Sequence, residues 1–179
     1  MQEAVRTTFR TLVDFLPLEL EKMDLSRWTE SVVRYFYCRI LHESFPAVDQ
    51  FVECHKIDLV LRQGPASAFV EFKFYRHPKR HHPYDGSVLG FKGGPGLKNL
   101  TEFQCCVEQL HDRLPKSGLS KYIVLVYADP TNGERPKLRF SNQYDPYHHP
   151  NEIVPLLLLE SSVIKAADAT IRAQLYEVG

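Results

Sequence analysis

At 179 residues the chain can build one domain with a substantial core, and it is too short for two comfortable ones. Apolar residues make up 44% and charged residues 25%, the balance of a folded domain rather than a disordered chain. Formal net charge is zero, which excludes a surface that is basic all over, so any nucleic-acid contact has to come from a local patch.

Helical periodicity begins within residues 3–23, where Val5, Phe9, Leu12, Val13 and Leu16 recur until Pro17 interrupts them. Ser26 reads as the N-cap of a second helix running from Trp28 to Leu41. Trp28, Val32, Tyr35 and Phe36 form one apolar stripe of that helix, and Val33, Tyr37 and Leu41 form another. Glu30 falls on the second stripe, where a carboxylate needs a partner. The first turn of a helix is equally a place where an acid complements the dipole. Gln50 to Cys54 then reads as a short strand.

Two longer strand-like runs follow, residues 55–62 and 66–75, punctuated by Gln63, Gly64 and Pro65. If Arg62 and Ser67 close the loop of an antiparallel hairpin, the same register sets Asp58 opposite Glu71. Residues so paired share a face, with Cβ atoms about 4.5–5.5 Å apart. Alternation along the strand adds Lys73 to that face, together with Val60, Phe69 and Tyr75. Ile57, Leu59, Leu61, Val70, Phe72 and Phe74 line the other face. Strands apolar on both faces are covered on both sides. Two facing carboxylates repel unless a cation lies between them. Mg²⁺ supplies such a charge and is commonly held by one or two carboxylates plus substrate phosphate. The Phe72 carbonyl, on the backbone beside Glu71, offers a further oxygen. A solvent-facing hairpin with an ordinary Glu–Lys pair is the plainer alternative.

Residues 76–98 are irregular and basic, with Arg76, Lys79, Arg80, Lys92 and Lys98 against the single acid Asp85. Loops this long inside a domain are functional or merely solvated, and this one is placed to track a phosphate backbone. Its histidines, His77, His81 and His82, lack the partner spacing of a zinc site. Asn99 to Leu114 reads as a helix with a capping box, Asn99 and Glu102, and a core stripe of Phe103, Val107, Leu110 and Leu114. Gln104 sits at the edge of that stripe, and Lys98 and Asn99 mark an N-terminus suited to anions. Cys105 and Cys106 read as small core-edge residues. Together with Cys38 and Cys54 they form neither a disulfide framework nor a CxxC metal pair.

Lys121 to Tyr127 is a strongly apolar strand reached by a crossover helix. Residues 129–150 are rich in turn signals, and Tyr144, Tyr147, His148 and His149 within them suit packing and turns better than base stacking. Residues 153–159 read as a last strand or a buried segment. Ser162 to Tyr176 reads as a C-terminal helix whose apolar side, Val163, Ala166, Ala167, Thr170, Ile171 and Leu175, serves equally to close the core or to pair with a second subunit in a homodimer. No apolar run has membrane length and no signal region stands out, so the expected location is cytoplasmic, in a reducing compartment. P-loop and Gly-x-Ser-x-Gly patterns are missing too. The expectation is one α/β domain over residues 1–179, with a central mixed sheet and helices on both faces. Its core spans about residues 26–127, and a strand and helix follow over 152–177.

Asp58, twelve intervening residues, and then Glu71, Phe72 and Lys73 resemble the motif of the PD-(D/E)XK nucleases, the restriction-endonuclease-like superfamily. Ile57 stands where the motif's name puts Pro. The resemblance covers roughly residues 26–127 in element order and implies an αβββαβ core. It implies an endonuclease in which Asp58 and Glu71 hold Mg²⁺, with Mn²⁺ as an alternative, and Lys73 assists the water that attacks a phosphodiester. Glu30 matches an acidic residue that many relatives carry on the first core helix, and Gln104 matches a Gln that reaches the site in some of them. DNA is the implied substrate, with RNA left open. The rival expectation is a non-catalytic module of the same fold that binds nucleic acid or protein.

Overall fold

The computed structural model describes residues 1–23, 25–54, 56–76, 80–81, 88–90, 97–113, 119–130, 156–166 and 169–179. Lys79, Lys92, His77, His82 and the turn-rich residues 131–155 therefore lie outside the described residues. Among the described residues, three α-helices and eight strands follow in chain order. They are α1 (Gln2–Lys22), α2 (Glu30–Ser44), β1 (Asp49–Cys54), β2 (Ile57–Gln63), β3 (Ala66–Arg76), β4 (Arg80–His81), β5 (Val88–Gly90), α3 (Leu97–His111), β6 (Leu119–Pro130), β7 (Leu156–Lys165) and β8 (Ala169–Val178).

Six strands form one mixed sheet in the order β1-β2-β3-β6-β8-β7, and β4 pairs with β5 in a small ribbon. Strands β1, β2 and β3 make an antiparallel meander. The chain then crosses through α3 and returns as β6, parallel to β3. β8 runs antiparallel beside β6, and β7 closes the edge. The architecture is a single α/β domain with helices on both faces. Along β3, Ala68, Val70 and Phe72 join the core under α1 and α2, while Phe69 and Tyr75 join the core under α3. β6 is buried on both faces from Lys121 to Asp129, as its unbroken apolar run requires. Among the described residues no helix is long and apolar enough to cross a membrane.

Three elements depart from the expectations. α1 continues through Pro17 to Lys22. A proline inside a helix costs about 3 kcal/mol, and burial of Phe9, Leu12 and Leu16, at about 1.5–3 kcal/mol each, offsets it. α2 is capped by Thr29 rather than Ser26: Thr29 is extended, and its hydroxyl accepts from the Val32 N–H at 3.3 Å. Such a cap is worth about 1 kcal/mol. Only one face of α2 is buried, and Tyr35, placed on an apolar stripe, is 61% exposed.

The third departure is larger. In place of the expected C-terminal helix over 162–176, the described residues form the end of β7 and most of β8, two strands of a hairpin that pair from Lys165 and Thr170 back to Leu156 and Val178. Ile171, Ala173 and Leu175 pack under α1 and α2, while Tyr176 and Val178 pack on the α3 side. A strand covered on both faces shows no clean alternation, and its apolar residues fall at helical spacing by coincidence.

Candidate functional site

The site begins with the β2–β3 register. Arg62 pairs Ser67, Val60 pairs Phe69 and Leu59 pairs Val70, the register that the assumed closure gives, although the ladder runs one pair further and closes at Gln63 and Ala66. At its other end the paired ladder stops at Leu59 and Val70, and one step further Asp58 faces Glu71. Asp58 Oδ2 accepts the Phe72 N–H at 2.9 Å, taking the place of the next ladder bond. In a strand the N–H and C=O of one residue point to the same side. The Phe72 carbonyl therefore also faces β2, at the point where the ladder has stopped.

Glu71 and Asp58 share a hydrogen bond when Glu71 carries its proton. Burial, and then the charge of Asp58, push the Glu71 carboxyl up to about 7, against the pull of Lys73. The Lys73 ammonium lies 3.9 Å from Glu71 Oε2 and 3.9 Å from Glu30 Oε2, ion-pair distances too long for hydrogen bonds. Lys73 is mostly buried, which disfavours its charge. Cys106, only where its thiol is ionised, and the carboxylates of Glu30, Glu71 and Asp58 oppose that effect, and the ammonium is raised above its ordinary value. Cys106 itself is pushed up to about 12 by burial, so at neutral pH it stands beside the ammonium as a neutral thiol. Glu30 is raised as well, first by burial and then by Asp58, with Lys73 opposing.

α2 reaches this face through its first turns. Thr29 fixes the start of the helix, Glu30 follows it, and Arg34 lies one turn on, at the i+4 position. Arg34 Nη1 is 2.7 Å from Asp58 Oδ1 and its Nη2 is 2.7 Å from Glu53 Oε1. The cations that flank the facing carboxylates are thus Arg34, on the Asp58 side, and Lys73, beside Glu71. A cleft of about 360 Å³ opens beside Lys73, between the N-termini of α2 and α3, and Thr29, Glu30, Ser31, Asn99 and Glu102 line it.

The structure brings together Asp58, Glu71, Lys73, Glu30 and the Phe72 backbone. It does not bring Gln104 to them. Gln104 is exposed on α3, and the residue of that helix that meets Lys73 is Cys106, about 200° further round the helix. Asn99, Glu102 and Cys106 at i, i+3 and i+7 trace the arc that faces the site, and that spacing was available in the sequence. Arg34 was also missed, and its signal was the need of a part-buried Asp58 for a cation. Among the basic residues expected to meet nucleic acid, Lys98 is exposed in the first turn of α3. Arg76 is largely buried and donates to the Leu25 carbonyl at 3.0 Å, and it lines the inner wall of the cleft beside Lys73. Arg80 lies on β4, of which only the backbone is described.

Among the described residues no three His, Cys, Asp or Glu side chains are arranged to hold a metal ion. The available donors are the two carboxylates and the Phe72 carbonyl. No family model matches the chain, and no curated protein or solved structure matches it either.

Proposed function

We propose that this chain is a Mg²⁺-dependent endonuclease that hydrolyses DNA phosphodiester bonds, resembling the PD-(D/E)XK nucleases. The observation that carries this reading is the convergence of Asp58, Glu71 and Lys73 on one partly enclosed face, with Lys73 at 3.9 Å from Glu71 and from Glu30. The donor set suits Mg²⁺, which is commonly held by one or two carboxylates while phosphate and water complete its octahedron. Asp58 and Glu71 would hold it, with the Phe72 carbonyl as a third oxygen. A bound Mg²⁺ supplies Lewis-acid polarisation of the phosphoryl oxygen and acidifies a water molecule.

The chain's own residues do the rest. Lys73 remains protonated and donates to the water or to a non-bridging phosphate oxygen, where negative charge grows in the transition state. Glu30 opposes Glu71 across that ammonium and fixes its direction. Cys106 of α3 stands beside Lys73 on the side away from solvent. Lys98, exposed at the mouth of the α3 N-terminus, suits a flanking phosphate.

A second reading, a non-catalytic module that binds nucleic acid or protein, is favoured by the Arg34–Asp58 pair, which neutralises the acid from within the chain. Plasmid nicking with and without Mg²⁺ or Mn²⁺ separates the two. The enzyme reading expects metal-dependent nicking that Lys73→Met lowers by orders of magnitude, while DNA affinity in Ca²⁺ stays within a few-fold. DNA binding with no nicking in either metal would establish the module instead.

A further inference from the structure

Three carboxylates stand side by side across the meander. Val52 pairs Leu59 and Cys54 pairs Ile57, so Glu53 lies across from Asp58 on one side, as Glu71 does on the other. Such a row is repulsive unless cations interleave with it. Arg34 bridges the first gap with one nitrogen at 2.7 Å from each acid, while only 12% of its side chain is exposed. Glu53 is 71% exposed and adopts a left-handed φ of 53°, a conformation unfavourable for a residue with a Cβ. The backbone is strained where Glu53 meets the guanidinium.

Both Asp58 oxygens are therefore engaged by the chain, Oδ1 by Arg34 and Oδ2 by the Phe72 N–H. From this geometry we infer that Arg34 is a resident counter-cation of Asp58, and that a divalent ion binds Asp58 by exchange against it. The inference rests on the metal reading given above. Each Asp58 oxygen has lone pairs to share, but a guanidinium and a divalent ion on one carboxylate repel strongly at such separations. The ion is admitted as Arg34 swings toward Glu53 and away from Oδ1. Arg34 is thereby a positioning residue that sets metal affinity and keeps the acidic row folded before the ion arrives. Glu53 is the acceptor that retains the displaced guanidinium.

The experiment titrates Mn²⁺ into DNA-free protein by calorimetry and reads Mn²⁺-induced shifts in melting temperature. The variants are Arg34→Met, Arg34→Lys, Glu53→Gln and Asp58→Asn. Removing one adjacent cation commonly changes a carboxylate's affinity for a competing cation by about tenfold or more. Arg34→Met is accordingly expected to bind Mn²⁺ about tenfold more tightly than wild type and to gain more melting temperature on adding it. Arg34→Lys, a single point charge that cannot bridge both acids, should fall between. If Arg34→Met does not fold, Glu53→Gln carries the test. Its guanidinium has lost the acceptor that receives it, so exchange is harder and Mn²⁺ binding should weaken several-fold. Asp58-dependent Mn²⁺ binding that Arg34→Met leaves equal or weaker, or that Glu53→Gln leaves unchanged, overturns the exchange and spares the metal reading. If neither wild type nor any Arg34 variant binds Mn²⁺ in a manner that Asp58→Asn abolishes, the metal reading fails and the exchange fails with it.

Discussion

Replacing Asp58 by Ala tests whether the acidic row is held together by its cations or strained by its charges. Two favourable contacts disappear. The Phe72 N–H loses its acceptor at 2.9 Å, and a part-buried amide left unsatisfied costs about 1–3 kcal/mol. Arg34 loses its 2.7 Å partner but keeps Glu53, so that loss is about 1–2 kcal/mol rather than the larger penalty of a stranded buried charge. One unfavourable contact also disappears, because the charge of Asp58 is a secondary cause of the raised Glu71 carboxyl, and its relief is offset in part by loss of the hydrogen bond the two share. The net expectation without divalent metal is a loss of about 2–3 kcal/mol, or about 5–10 °C in melting temperature for a chain of this size. Asp58→Asn keeps an oxygen for the Phe72 N–H and should lose only about 1 kcal/mol. Urea unfolding at pH 7.5 in chelator, followed by circular dichroism, measures both. Asp58→Ala as stable as wild type would refute the reasoning, because repulsion along the row would then outweigh everything Arg34 and Phe72 contribute.

Glu71 predicts a pH dependence. Its carboxyl is raised from 4.5 in the unfolded chain to about 7 in the fold, so the folded state binds the proton more tightly. The resulting stabilisation is complete below pH 4.5 and fades as pH rises through 7, amounting to about 1–2 kcal/mol after solvent screening. Glu71→Gln should flatten stability across that window, and parallel wild-type and variant curves in chelator would contradict it. Arg76→Ala should lower stability by about 2–3 kcal/mol, since it removes a buried guanidinium bonded to the Leu25 carbonyl, and should leave the salt dependence of DNA binding unchanged. Lys98→Ala should do the reverse, reducing the salt slope by about 0.9 at unchanged stability. A salt-slope change from Arg76→Ala at constant melting temperature would show that Arg76 faces the nucleic acid.

Local chemistry was enough to read the hairpin from the sequence. Gln63, Gly64 and Pro65 break the strand pattern, and Gly64 takes a left-handed φ of 57° in the turn. With the turn placed, period-two alternation puts Asp58, Glu71 and Lys73 on one face with no help from the rest of the chain. The apolar run of β6 and the crossover through α3 were legible too, β6 because its apolar run is unbroken and α3 because its apolar stripe holds the helical period over many residues. Contacts between elements were not legible. Arg34, Cys106 and Arg76 owe their roles to how α2, α3 and the 3₁₀ turn at Leu25–Arg27 lie against the sheet, and helix placement depends on packing volumes far apart in sequence. The C-terminal hairpin shows the same limit from the other side. Val163, Thr170, Ile171 and Leu175 suit a helix or a doubly covered strand equally well by spacing. The choice falls to strand because β6 offers β8 an open edge to pair with, and α1 on one face and α3 on the other bury what that strand exposes.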